Sequence, residues 1–213
     1  AIIASAIFPT LARLIGEGAR EKVTMLMQKS LLLAFLLALP ATLGGIILGS
    51  QIIVLIYGAT YMPAILNFQI LMVTVLLNFP GVLIGNAAIA YDRQKQITKY
   101  LLIAALGNAL LDAILIPRYG IVGSTIATII ALTIDIGLCW SLLKKITGFT
   151  IFPHIGKIVL SSLLMGGVTF ALYRIGFPVL PNIILSGAVY FGILLLLKEK
   201  VLGEFTFILR AFS

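Results

Sequence analysis

An all-α, polytopic bundle of transmembrane helices is the fold this sequence predicts, and three observations predict it. Apolar residues make up 61% of the 213 residues and charged residues only 10%, against roughly half and about a quarter in soluble domains. The apolar residues gather into runs near the length of about 20 residues that carries an α-helix across a bilayer core. The charged residues fall between those runs. About six full spans fit, preceded by the end of another.

The chain opens at Ala1 inside an apolar stretch, with no initiator Met and no basic segment before it. It reads as a fragment that begins partway through a membrane helix. That helix runs to about Leu11 and gives way to the charged, Gly-rich IGEGAREK, which predicts a polar connection. The first full span covers about 30–57, with Pro40, Gly44 and Gly45 predicting a kink near its middle. The second covers about 64–90 and ends at the charged YDRQKQITK. The third, LLIAALGNALLDAILIP, is expected to stop at Pro117, which has no N–H to donate. The fourth runs from about Ile121 to Leu143, the fifth from about Ile158 to Tyr173 and the sixth from about Pro181 to Leu197. The tail VLGEFTFILRAFS, 201–213, reads as a short interfacial amphipathic helix.

Net charge of +8 would suit nucleic acid if the basic residues lined a groove with interleaved aromatics. They do not, and nucleic acid is excluded as a partner. One set of alternate connections holds Arg13, Arg20, Lys22, Lys29, Arg93, Lys95, Lys99, Lys144, Lys145, Lys157, Lys198, Lys200 and Arg210, whereas the other holds only Arg118 and Arg174. Basic loops stay in the cytoplasm, so the sequence predicts a multi-pass protein of the cytoplasmic membrane with its C-terminus inside. The single Cys139 cannot form a disulfide within the chain. His154 has no second His or Cys nearby, so no metal and no cofactor are expected. No connection is long enough to hold the carboxylate, His or metal cluster of a membrane enzyme, so no catalytic residues are assigned.

Four stretches, taken together and in order, carry a resemblance: FPTLARL at 8–14, LIYGATYMPA at 55–64, the charged turn YDRQKQ, and GNALLDAILIPRYGIVGSTIAT at 107–128. The chain resembles the C-terminal lobe of the multidrug, oligosaccharidyl-lipid and polysaccharide exporter superfamily, in its polysaccharide and O-antigen flippase branch. The resemblance implies that 1–213 is one transmembrane lobe of a larger transporter whose N-terminal lobe is missing. It implies a polyprenyl-linked glycan as substrate, membrane lipids as surroundings and glycan-assembly enzymes as partners. A cation-coupled multidrug exporter of the same superfamily is the rival reading. Asp112 departs from the pattern, since relatives usually carry an amide or an apolar residue there.

Within the spans, Asn67, Thr74 and Asn78 share a narrow sector of the second span, continued by Gly81 and Gly85. They are expected either to bond neighbouring helices or to line a cavity and meet sugar hydroxyls. Asn108 lies one turn before Asp112. A carboxylate inside a span is costly unless it faces a partner or a polar cavity, so Asp112 and Asp135 are expected to face inward. Asp112 either pairs with Arg118 or is hydrated, or it binds a coupling ion; Asp135 either bonds structurally or acts in transport. Their depths differ by on the order of 15 Å at about 1.5 Å per residue, so they cannot share a proton. No Lys or Arg lies in the span cores, which leaves Lys29, at the inner mouth of the first full span, or residues of the missing N-terminal half as the candidate clamp for a diphosphate. Gly120 and Gly123 predict a tight reversal with the third and fourth spans pressed together.

Overall fold

The computed structural model describes residues 2–197, and the side chains within 7–151 and 155–197. Seven α-helices follow one another in the described residues: α1 Ile2–Gly16, α2 Arg20–Tyr57, α3 Ile65–Ala90, α4 Gln94–Tyr119, α5 Ile121–Thr147, α6 Phe152–Arg174 and α7 Val179–Leu196. A short 3₁₀ helix, Ala59–Ala64, links α2 to α3. Six helices are long and apolar enough to cross a bilayer, as the apolar runs predict. The protein is a multi-pass membrane protein. The tail helix expected over 201–213 lies outside the described residues, as do Lys198, Lys200 and Arg210.

The helices overrun the apolar stretches that announce them. The connection expected over the charged IGEGAREK shrinks to the three residues between α1 and α2, and Arg20–Lys29 is helical. Helix α2, with 38 residues, is about 57 Å long at about 1.5 Å per residue, nearly twice the roughly 30 Å hydrocarbon core. Its first turns therefore project into polar surroundings. There Val23, Met27, Leu31 and Ala34 are buried while Glu21 and Lys22 are exposed, an i, i+4 pattern that keeps a polar segment helical by packing one face. In the same way α4 starts at Gln94, so the charged turn after α3 is only Tyr91–Arg93. The backbone of His154 lies in the first turn of α6 and not in a loop.

Three of these reversals have one hydrogen-bond design. The amide of Ala19 reaches the Leu14 carbonyl while that of Gly18 reaches Ile15; Arg93 reaches Ala88 while Asp92 reaches Ile89; Phe177 reaches Leu172 while Gly176 reaches Tyr173. This is the Schellman closure, which satisfies the last carbonyls of a helix and puts its central residue in the left-handed region. Gly18 and Gly176 sit there at φ 68° and 73°, but the third position is Asp92, at φ 56°. A side chain at positive φ is strained, less so for Asp than for most residues. Asp92→Gly is therefore expected to stabilise the protein by about 0.5–1 kcal/mol, read as a higher unfolding temperature in detergent. An unchanged or lower temperature would count against this account of the turn.

Helix α4 does not stop at Pro117. It continues to Tyr119 and ends where Gly120 adopts φ 58°, ψ −138° and donates to the Ile116 carbonyl at 2.8 Å. Proline removes one N–H, but the turn that follows still closes through the Gly120 amide on the Ile116 carbonyl, so a single bond is lost.

By contact, the helices divide into two units. The first comprises the chain up to Ala34 together with Leu77–Ile151; the second comprises Phe35–Leu76 and the chain from Phe152 onward. Helices α2 and α3 each pass from one unit to the other. In the first unit the α4–α5 hairpin closes on Gly123: a Cβ there would strike the Leu115 carbonyl, 2.6 Å from its carbon. The small-residue face of α5 continues through Ala127 and Ala131, both buried, as the sequence predicts for helices joined in lipid. The opposite sides of α4 are bare. Leu101, Leu102, Leu106 and Leu110 are 57–68% exposed, a surface suited to lipid and not to water.

In the second unit, α2 meets α3 at its glycines, where a Cβ on Gly45 would collide with the Met72 thioether and one on Gly49 would lie 2.7 Å from Cγ of Gln69. Gly166 brings α6 against Ile47 and Leu43 of α2. The α6–α7 hairpin is held by a buried polar chain. Ser186 Oγ donates to Asn182 Oδ1 at 2.9 Å and lies 2.8 Å from Thr169 Oγ1, while Asn182 Nδ2 donates to the Thr169 carbonyl at 3.3 Å. Tyr190 donates to the Leu36 carbonyl at 2.7 Å and ties α7 to α2.

Candidate functional site

The α3 residues of the expected polar seam fall in both units. Asn67 and Thr74 belong to the second unit and Asn78 to the first. Thr74 is half-buried and donates to the Leu71 carbonyl of its own helix at 2.7 Å, and Asn67 is also partnered. Asn78 is exposed. Gln69, not singled out in the sequence, bonds across helices from α3, donating to the Ile46 carbonyl at 2.7 Å.

The first unit holds the remaining candidates. Asp112 does not pair with Arg118, which is exposed; Asp112 Oδ1 is buried and has no hydrogen-bond partner among the described residues. Asn108, one turn earlier, is half-buried. Asp135 is half-buried on α5, where Oδ1 receives only the weak S–H of Cys139 at 4.0 Å. Lys29 is half-buried near the start of α2 and has a partner of its own.

A cavity of about 770 Å³ opens in this unit where α1, α3 and α5 end and α2 begins, with Gly18, Arg20, Tyr91, Lys145 and Gly148 in its walls. Thr24 braces it by donating to the Thr147 carbonyl at 2.8 Å. Burial pushes the Tyr91 hydroxyl above its ordinary range, and the Arg20 guanidinium pulls it part of the way back. All the basic residues here belong to one set of alternate connections.

Two further cavities lie in the described residues of the second unit. One, of about 360 Å³, is nearly apolar and lies between α2, α3, α6 and α7, with Gly45, Phe68 and Met72 on one side and Thr169 and Ser186 on the other. The other, of about 670 Å³, lies where α2 and α6 end and α7 begins, and Ser50, Gln51, Tyr173 and Arg174 give it a polar wall. None of these four was singled out for a role in the sequence, because α2 and α6 lie more than a hundred residues apart. Among the described residues no three His, Cys, Asp or Glu side chains gather as a metal site would need. What the chain offers is scattered polar groups on packed helices, suited to binding and release.

Known proteins share this chain's sequence. It is 26% identical over 169 residues to the probable low-salt glycan biosynthesis flippase Agl15 of Haloferax volcanii, an alignment covering 79% of this chain and 36% of that one. It is 28% identical over 202 residues to the probable flippase AglR of the same organism, covering 91% of this chain and 42% of the relative. The chain thus spans about two-fifths of the length of these curated relatives. The family described as lipid II flippase MurJ matches residues 1–195, nearly every described position, and the chain belongs to that family.

Proposed function

We propose that this chain forms the C-terminal lobe of a flippase that moves polyprenyl-linked oligosaccharide precursors across the cytoplasmic membrane for surface polysaccharide assembly, in the polysaccharide branch of its superfamily. The observation that carries the reading is the family match over residues 1–195, and both relatives named above are called flippases. Two helical lobes rock about a central cavity and expose it to one face at a time. The C-terminus lies in the cytoplasm. Supporting this orientation, the helix ends and starts that meet at the Arg20 and Lys145 cavity are all ones that the charge pattern assigns inside. Glycan-assembly enzymes on that face hand over the substrate. Asn67, Thr74, Asn78 and Asn108 are its candidate contacts and Lys29 the candidate diphosphate clamp, while Asp112 and Asp135 are the candidate ion-coupling groups.

The test uses the full-length protein in sealed vesicles loaded with a fluorescent polyprenyl-diphosphate oligosaccharide. Translocation well above that of protein-free vesicles is expected, and rates equal to theirs with correctly inserted protein would sink the reading. Asp112→Asn and Asp135→Asn in the same vesicles report coupling, as a loss of gradient dependence with folding retained.

A further inference from the structure

The larger of these two cavities of the second unit is an open, mostly apolar groove with a polar end. Ser50 and Gln51 come from the last turns of α2, Tyr173 and Arg174 from the end of α6, and Val179 from the start of α7. Ser50 Oγ and Tyr173 Oη are hydrogen-bonded at 3.2 Å. The Gln51 amide is oriented by its Nε2, which donates to the Phe177 carbonyl at 3.2 Å. That leaves Gln51 Oε1 buried and without a donor. Arg174 is the one charged residue in the lining.

These groups set a chemical specification. A buried amide oxygen left unmade costs about 1–3 kcal/mol, so a ligand that draws the Gln51 amide into the cavity and brings it a hydroxyl or N–H is favoured. The guanidinium calls for an anion, and phosphate suits its planar donors. The Ser50 and Tyr173 hydroxyls both give and accept, which fits a group that also does both. Val54, Leu55 and Val179 leave an apolar strip beside the polar wall. A bare inorganic anion satisfies Arg174 and leaves Gln51 unmet, and an organic cation is repelled by Arg174. A phosphate carrying hydroxyls answers every group. At about 670 Å³ the cavity is far larger than one water, which occupies about 30 Å³, and has room for such a headgroup.

We propose that this cavity binds the hydroxyl-bearing phosphate headgroup of a lipid on the membrane face opposite the basic connections. The inference rests on the flippase reading for one source of that headgroup, a sugar phosphate on a polyprenyl chain; the other source is a glycerol phosphate of the surrounding bilayer. Arg174 holds the phosphate, and Gln51 with the Ser50–Tyr173 pair holds the hydroxyls.

The experiment places the full-length protein in phosphatidylcholine nanodiscs and measures binding by native mass spectrometry. The probes are a short-chain prenyl phosphate, the same lipid bearing one hexose, and phosphatidylglycerol. Arg174→Ala is expected to weaken the two prenyl ligands alike, by roughly 10-fold, as for one lost charge-assisted contact. Gln51→Leu should weaken the hexose-bearing ligand by about 5-fold and leave prenyl phosphate unchanged. Tyr173→Phe removes a hydroxyl without touching the Phe177 bond, and should give the same selective loss even if Gln51→Leu does not fold. Phosphatidylglycerol showing the same dependence on Arg174 and Gln51 assigns the headgroup to the bilayer; Arg174 dependence confined to the two prenyl ligands assigns it to the substrate. Binding indifferent to Arg174→Ala, or equal losses for both prenyl ligands in Tyr173→Phe, would overturn the proposal. The vesicle assay reads the flippase function separately, so transport without this binding site, or binding without transport, tells which inference has failed.

Discussion

Gly123→Val is expected to destabilise the protein by about 3 kcal/mol, at the upper end of what overpacking costs, and Gly123→Ala by about 1–3 kcal/mol. The position is buried and its absent Cβ would meet the backbone of Leu115, not the tip of a side chain that can swing away. Either helix α4 must draw back or the α5 start must tilt. Both moves open the hairpin along the face that continues through Ala127 and Ala131, which in lipid is held by close backbone approach because burial from water offers nothing. Helix propensity pulls the other way, since Ala is favoured over Gly by about 0.8–1 kcal/mol in a helix interior. The decisive comparison is Gly137→Ala, on the same helix, where a Cβ meets nothing within 4 Å; that variant should be neutral or slightly stabilised. Unfolding in detergent, followed by heat or by a denaturant, gives the ranking. Equal stability of Gly123→Ala and Gly137→Ala would show that the α4–α5 contact is softer than the geometry indicates.

What the sequence made legible, and what it hid, follows from which interactions are local. The six spans and their order were readable because each must present an apolar surface to lipid along its whole length, so composition alone marks it. Helix ends were not, since nothing obliges a helix to stop where its apolar residues do. Arg20–Lys29 and Gln94–Lys99 continue as helix because a backbone already paired has no reason to open, and one face of the α2 extension still packs. Pro117 misled for a related reason. A proline in the last turn forfeits one N–H and leaves the turn able to close, here through Gly120 on Ile116. By contrast, Gly120 and Gly123 were readable, since a reversal and a close approach both call for the residue without a Cβ.

Polar groups divide the same way. The α3 periodicity put Asn67, Thr74 and Asn78 on one line, but a shared sector says nothing of what stands opposite, and the structure assigns them to different packing units. Gln51 with Phe177, and Thr169 with Asn182, meet only through tertiary contact. Their local signal was thin: Asn182 and Ser186 one turn apart in an otherwise apolar run. A pair of amide and hydroxyl at i, i+4 inside a span is the pattern that would have found this network.

That network supports the second large expected effect. Asn182 is fully buried and joins α7 to the Thr169 carbonyl of α6 through Nδ2 while accepting from Ser186 through Oδ1. Asn182→Leu keeps the number of side-chain heavy atoms and deletes both bonds. The Ser186 hydroxyl then turns to the carbonyl four residues back, as Ser162 and Thr125 do elsewhere in the chain, so the expected cost is about 1–2 kcal/mol, the range of interhelical polar contacts in membranes. Asn182→Ala adds a small void, at about 24 cal/mol per Å³ of cavity, and should cost about 2–3 kcal/mol in all. The difference between the two variants isolates packing from hydrogen bonding. Pairing each with Ser186→Ala gives a coupling of about 1 kcal/mol if the bond is real in the membrane, since groups in one network do not contribute additively. Zero coupling, together with an Asn182→Leu protein that unfolds no sooner than the unmodified one, would mean that Gly166 and the Tyr190 bond to α2 hold the α6–α7 hairpin without help from its polar seam.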